Sequence, residues 1–121
     1  MPLKFNYEIK KRIIQNKKNK KLIGIAKKFM VASTIPKYSY NFKSLGRPII
    51  QYPQDIISLQ ELLWKIKPSL VIETGVAHGG SLILSASMLA LIDQWRKFKK
   101  LKTVKSKVIG IDIDIRKHNK K

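Results

Sequence analysis

Apolar positions in residues 6–30 recur at roughly helical spacing, with Ile9, Ile13, Leu22, Ile25, Ala26 and Phe29 in step. The polar run 15–21 interrupts the stripe, so one long helix and two short ones satisfy the pattern equally. Pro36, Gly46, Pro48 and Pro53 punctuate residues 35–53 and keep them extended or looped. Helical order returns at 55–67, where Ile56, Leu59, Leu62, Leu63 and Ile66 line one face. Asp55 suits the positive N-terminal end of that helix, and Pro68 stops it.

The period then changes. Leu70-Val71-Ile72-Glu73-Thr74 is a short β-branched run of the kind that forms a buried parallel strand. Residues 75–80 make a glycine-bearing turn. Residues 81–99 predict a second helix, with Leu82, Ala86, Leu89 and Ile92 on one face. After a lysine-rich loop, residues 108–113 predict a second strand. Helix, strand, glycine turn, helix and strand, in that order, open a doubly wound sheet. The expected fold class is therefore α/β: two parallel strands with flanking helices, preceded by a helical N-terminal segment. No internal repeat is evident.

Composition narrows the classes of function. The 121 residues suffice for one small domain, and 44% hydrophobic content argues against a wholly disordered chain. Cysteine is absent, which excludes disulfides, thiolate zinc sites and a thiol nucleophile. His78 and His118 are the only imidazoles. No apolar run approaches the ~18 residues of a spanning helix, and no apolar stretch of a secretory signal follows the charged start. The expectation is a cytoplasmic chain, peripheral to a membrane if its basic ends make it so.

The net charge of +19 is segregated: residues 1–43 carry +11, residues 44–95 carry −1 and residues 96–121 carry +9. Two domains follow from this, a basic helical segment at 1–43 and an α/β region at 44–121. Basic flanks suit nucleic acid or anionic lipid, because clustered lysines displace counterions from phosphate surfaces. The plainer reading is a solvated surface: 22 Lys, 4 Arg and 18 Ile are what an A/T-rich coding sequence yields, and specific phosphate readers favour the arginine fork. Trp64 and Trp95 fall on helices and read as packing residues.

Chemistry concentrates in Glu73-Thr74-Gly75-Val76-Ala77-His78-Gly79-Gly80-Ser81. A strand feeding a helix through glycines exposes backbone where open α/β folds bind ligands. The turn lacks the lysine of a phosphate-binding P-loop, and its glycines do not match the dinucleotide spacing. A carboxylate two residues before the first glycine suits a ligand with a positive group, such as the ammonium and sulfonium of S-adenosylmethionine. Asp112 ends the second strand, where an acid binds both ribose hydroxyls. Asp114 shares its face if the strand continues. Plainer roles compete: Glu73 as a helix cap, the glycines as a tight connection, Asp112 as a solvated turn residue. His78 reads as a hydrogen-bonding loop residue before a general base, and Ser81 as a helix N-cap before a nucleophile.

Several stretches together resemble the cephalosporin hydroxylase/rhamnosyl O-methyltransferase family: Gly46-Arg47-Pro48-Ile49, Tyr52-Pro53-Gln54-Asp55, Leu59-Gln60-Glu61-Leu62-Leu63-Trp64, the glycine turn, Ala86-Ser87-Met88-Leu89 and Gly110-Ile111-Asp112-Ile113-Asp114-Ile115-Arg116 with His118-Asn119. The resemblance spans residues 45–119. It implies a Rossmann-like class I S-adenosylmethionine-dependent methyltransferase acting on hydroxyl groups, sugars of glycolipids and polysaccharides among them, with magnesium in some members. By matching, Glu73, Gly75, His78, Gly79, Gly80 and Ser81 fall on the cofactor loop and Asp112 on the ribose acid. Ser44 and Lys117 depart from the pattern, standing where an aromatic residue and a proline are common.

In the family, the acids that hold magnesium and address the substrate come in later strands, so matching gives no residue the metal or base role. The expectation is a truncated sheet that carries the cofactor-binding half, is inactive alone, and is completed by a C-terminal half or by oligomerisation. Its expected partners are a small-molecule or glycolipid hydroxyl acceptor and, peripherally, an anionic membrane. Nucleic acid is disfavoured, since no base-reading motif appears. The rival is a small basic protein that binds nucleic acid or anionic membrane without catalysis.

Overall fold

The computed structural model describes residues 3–102, 104–115 and 117. His118, Asn119 and Arg116 of the resembling motif lie outside the described residues. The chain divides into two units, Met1–Tyr38 and Ser39–Lys121.

The first unit is a pair of helices, α1 (Leu3–Lys18) and α2 (Lys20–Ala32). Of the two readings of the N-terminal stripe, the two-helix one holds. Asn19 takes an extended conformation, and its side-chain oxygen accepts from the Leu22 amide at 3.0 Å, so the residue ends one helix and caps the next. At the far end the Ser33 amide reaches the Phe29 carbonyl and its hydroxyl donates to Met30 O at 3.0 Å. The Phe29 and Tyr38 rings meet edge to face at 5.5 Å. No residue of α2 is buried.

The second unit opens with a short hairpin inside the stretch expected to be extended or looped. Strands β1 (Lys43–Ser44) and β2 (Arg47–Pro48) pair antiparallel around Leu45 and Gly46, both with positive φ. Helix α3 (Pro53–Ile66) follows, with a proline in its first turn and Lys67 closing it in left-handed backbone, its amide on Leu63 O at 2.8 Å. Then come β3 (Leu70–Thr74), α4 (Gly80–Phe98) and β4 (Lys107–Ile111). The two strands pair in parallel, Leu70 opposite Lys107 through Thr74 opposite Ile111. The class is α/β.

Side chains alternate across this small sheet. Val71, Glu73, Val108 and Gly110 are half-covered on the α4 side, where a Cβ on Gly110 would strike Leu82. Leu70, Ile72, Ile109 and Ile111 are exposed on the other face. The expected burial of the first strand on both faces is therefore corrected, because among the described residues no helix covers the second face. Ile49, Leu63, Val76, Met88, Leu89 and Ile92 form the core. The apolar face of α4 is rotated from the expected one: Ser85 is buried and Ala86 exposed. The stripe of α3 is narrower too, with Leu62 and Ile66 left exposed.

Arg96 pins the far end of α4 to the sheet. Its guanidinium bonds Asp93 at 2.9 Å, Ser106 Oγ at 3.2 Å and the Lys67 carbonyl. Ser106 in turn donates to Asp93 at 2.7 Å. Nearby, Trp64 and Trp95 meet edge to face at 6.1 Å, with the Lys67 ammonium over both rings, so both indoles are engaged in helix packing.

Candidate functional site

Parallel pairing puts the ends of β3 and β4 side by side, and the chain leaves β3 through its glycines at that edge. The Gly75 amide extends the ladder to Ile111 O at 2.8 Å. The backbone then turns through positive φ at Gly75, Ala77 and Gly79, at +84°, +45° and +76°. Only glycine adopts such angles without a Cβ penalty. Open space surrounds the Gly75 α-carbon, whereas Gly80 is packed so tightly that a Cβ would stand 2.2 Å from Pro48 O. The glycines thus do two jobs. Gly75 leaves room outside the turn, and Gly80 seats the start of α4 on the β2 backbone.

Asp112 closes this arrangement. Strand β4 ends at Ile111, two residues earlier than expected, so Asp112 and Asp114 do not share a strand face. Asp112 begins a turn in which one carboxylate oxygen accepts the Val76 amide at 2.7 Å and the other accepts the Asp114 amide at 3.1 Å. Backbone donors, Asp114 first, then Val76, Ala77 and Ile113, hold the carboxyl below its ordinary pKa despite some desolvation. These donors hold the carboxylate against the glycine turn.

Glu73, on the α4 side of β3, accepts a hydrogen bond from Ser81 Oγ. Ser81 lies in the first turn of α4 but is not its N-cap, which is Gly79 with no side-chain cap bond. That corrects the capping role read for the serine: glycine in left-handed backbone occupies the cap, which frees the hydroxyl for Glu73. The His78 carbonyl accepts from Arg47 at 3.5 Å, tying the turn to β2.

A cleft of about 400 Å³ runs along the turn and the outer edge of β3, with Gln51, Glu73, Gly75, His78, Ser81 and Ser85 in its wall. Its volume is in the range of small-molecule sites. Asp112 is not in that wall; it stands behind Val76, which also lines a second cleft of about 280 Å³ beside Gly110 and Ile115. Glu73, Gly75, His78, Gly80 and Ser81 therefore gather on one cleft, while Gly79 and Asp112 hold the turn from its other side. Two residues carried no role in the sequence reading. Arg47 stood in the resembling motif without an assignment, and Gln51, beside Tyr52, has a buried side-chain oxygen with no hydrogen-bond partner among the described residues. Among the described residues no group of three or more His, Asp or Glu side chains is placed to hold a metal ion.

The second unit is thus a parallel α/β unit with a glycine turn at the carboxyl edge of its sheet, flanked by Glu73 on β3 and by Asp112 just past β4. A sequence profile of the rhamnosyl O-methyltransferase/CmcI family matches residues 36–121, and the chain belongs to that family. Its name places the chain among methyltransferases and supports an O-methyltransferase-like role. No curated protein and no solved structure matches the chain.

Proposed function

We propose that the second unit is the cofactor-binding part of a Rossmann-like S-adenosylmethionine-dependent O-methyltransferase, acting from the cytoplasm on a hydroxyl of a sugar in a glycolipid or polysaccharide. One observation carries the reading: Asp112, at the tip of β4, is hydrogen-bonded at 2.7 Å to the glycine turn that ends β3. A ribose acid and a cofactor loop need that adjacency. The residues fit the group. Gly75 has no neighbour where a Cβ would lie, so a ligand can approach the main chain. Glu73 puts negative charge on the cleft for an ammonium, and the uncapped first amides of α4 suit a carboxylate. Asp112, ionised and fixed by backbone amides of the turn, accepts the ribose hydroxyls.

When bound, S-adenosylmethionine supplies a methyl group made electrophilic by its sulfonium. The chain's own residues orient it. Transfer further requires an acceptor oxygen aligned at ~3–3.5 Å and a group to take its proton. Among the described residues no group of three or more His, Asp or Glu side chains is placed to hold a metal ion for that task. The ladder bonds of Ser69 and Gly75 set the odd-numbered residues of β3 towards β4, which turns the amides of Leu70, Ile72 and Thr74 to an edge with no strand beside it among the described residues. That edge and the bare apolar face support a sheet completed by further strands, from a complementing segment or a second copy, which bring the acceptor side.

Calorimetric titration with S-adenosylhomocysteine tests cofactor binding; Asp112→Ala should abolish the heat, and equal binding by the variant would refute the site. Transfer of labelled methyl to a panel of sugars tests completeness. The chain by itself should give no turnover, and clear turnover without a second chain would overturn the incompleteness.

A further inference from the structure

The first unit holds an amphipathic surface that has no part in the site described above. At about 100° per residue, Leu22, Ile23, Ile25, Ala26, Phe29 and Met30 occupy one half of the α2 circumference. Lys20, Lys21, Lys27 and Lys28 occupy the other. The apolar half is only partly covered: Ile25 is 56% exposed, Leu22 44% and Phe29, whose ring meets Tyr38, 45%. Helix α1 adds exposed Phe5, Tyr7, Ile13 and Ile14 among Lys4, Lys10, Lys11, Arg12, Lys17 and Lys18. Across both helices ten cations face a single acid, Glu8. Neither helix is long and apolar enough to cross a membrane.

We infer that α2, with α1 beside it, is an interfacial anchor that lies on an anionic lipid surface. A helix with a lysine face opposite an aliphatic and aromatic face partitions to the headgroup boundary, where the apolar half enters the acyl region and the lysines meet phosphate and carboxylate. Charge complementarity selects the occupant. An excess of nine positive charges suits an acidic bilayer, and the broad apolar half has no counterpart in a phosphodiester backbone, whose non-specific binding is electrostatic.

The chain has no cysteine, so one introduced thiol is a unique probe site. In the full chain, Ile25→Cys and Lys28→Cys are each labelled with an environment-sensitive dye and mixed with phosphatidylcholine vesicles, with or without phosphatidylserine. The dye at position 25 should shift to the blue only with the anionic vesicles, while that at position 28 stays in a watery setting. Replacing Lys20, Lys21, Lys27 and Lys28 by glutamine should weaken vesicle binding about fivefold per lysine, several hundredfold together, with helicity checked by circular dichroism. Three results would overturn the inference: equal binding to neutral vesicles, a position-25 dye already shielded in the free chain and unmoved by vesicles, or tighter binding to single-stranded RNA than to anionic vesicles in the same buffer. The dye readout stands even if the fourfold variant loses helix.

Discussion

Gly80→Ala is the sharpest test of how the turn is held. The added Cβ would lie 2.2 Å from Pro48 O, 2.6 Å from Pro48 C and 2.8 Å from the Ile49 α-carbon, where ordinary contact begins near 3.4 Å. All three neighbours are backbone, so no rotamer change relieves the clash and β2 must move off α4. Overpacking of this kind costs about 1–3 kcal/mol, and the rigidity of the obstacle puts this case at the upper end. For a unit of this size, ~3 kcal/mol lowers the melting temperature by roughly 12–24 °C. Two companion glycines calibrate the result. Gly75→Ala meets no atom but forces alanine to φ +84°, a cost of about 1–2 kcal/mol. Gly24→Ala, in the open interior of α2, should stabilise that helix by roughly 0.5–1 kcal/mol. The expected order in thermal melts followed by circular dichroism is Gly24→Ala above the parent, then Gly75→Ala, then Gly80→Ala. A Gly80→Ala protein that melts at or above Gly75→Ala would refute the packing of α4 on Pro48.

Other outcomes follow from the charged groups. Asp112 has its carboxyl held low in the fold, so its contribution to stability is complete above the unfolded value near ~3.9 and fades as pH falls through the folded one. The stability gap between the parent and Asp112→Asn should therefore shrink as denaturation is repeated from neutral pH down through that range; a gap that widens on acidification would contradict the geometry. Arg96→Ala removes bonds to Asp93, Ser106 and the Lys67 carbonyl and should cost about 2–3 kcal/mol in urea unfolding at constant m. Asp93 is held low by the Ser106 hydroxyl first, and also by the Arg96 guanidinium and the Ser106 amide. Its carboxyl pKa, followed by NMR titration, should rise in both Ser106→Ala and Arg96→Ala, and no rise in Ser106→Ala would contradict that contact.

Much of the site was legible because its parts are local. The glycines between Glu73 and Ser81 dictate a turn wherever they occur, and β-branched 70–74 dictates a strand through steric preference. The acid at position 112 was placed by its distance along the chain, and parallel pairing then fixed it beside Val76. Arg47 and Gln51 escaped because their significance arises from contact across the fold: Arg47 reaches a carbonyl 31 residues away, and the Gln51 oxygen matters only because the chain closes over it. The rotation of α4 escaped for a similar reason. Leu82, Ala86, Leu89 and Ile92 make a good stripe on a helix wheel, but what touches α4 chooses Ser85 over Ala86.

By itself the sequence determined the order of helices and strands, the split of basic ends from a neutral middle, the glycine turn, and a family resemblance that profile matching bears out. Those properties reside in backbone sterics and side-chain charge, which each residue carries wherever it goes. Tertiary structure alone decided that β4 stops at Ile111, that Gly79 displaces Ser81 from the helix cap, and that among the described residues nothing covers one apolar face of the sheet. Each depends on which atoms meet across long loops, and a linear pattern of residues holds no distances.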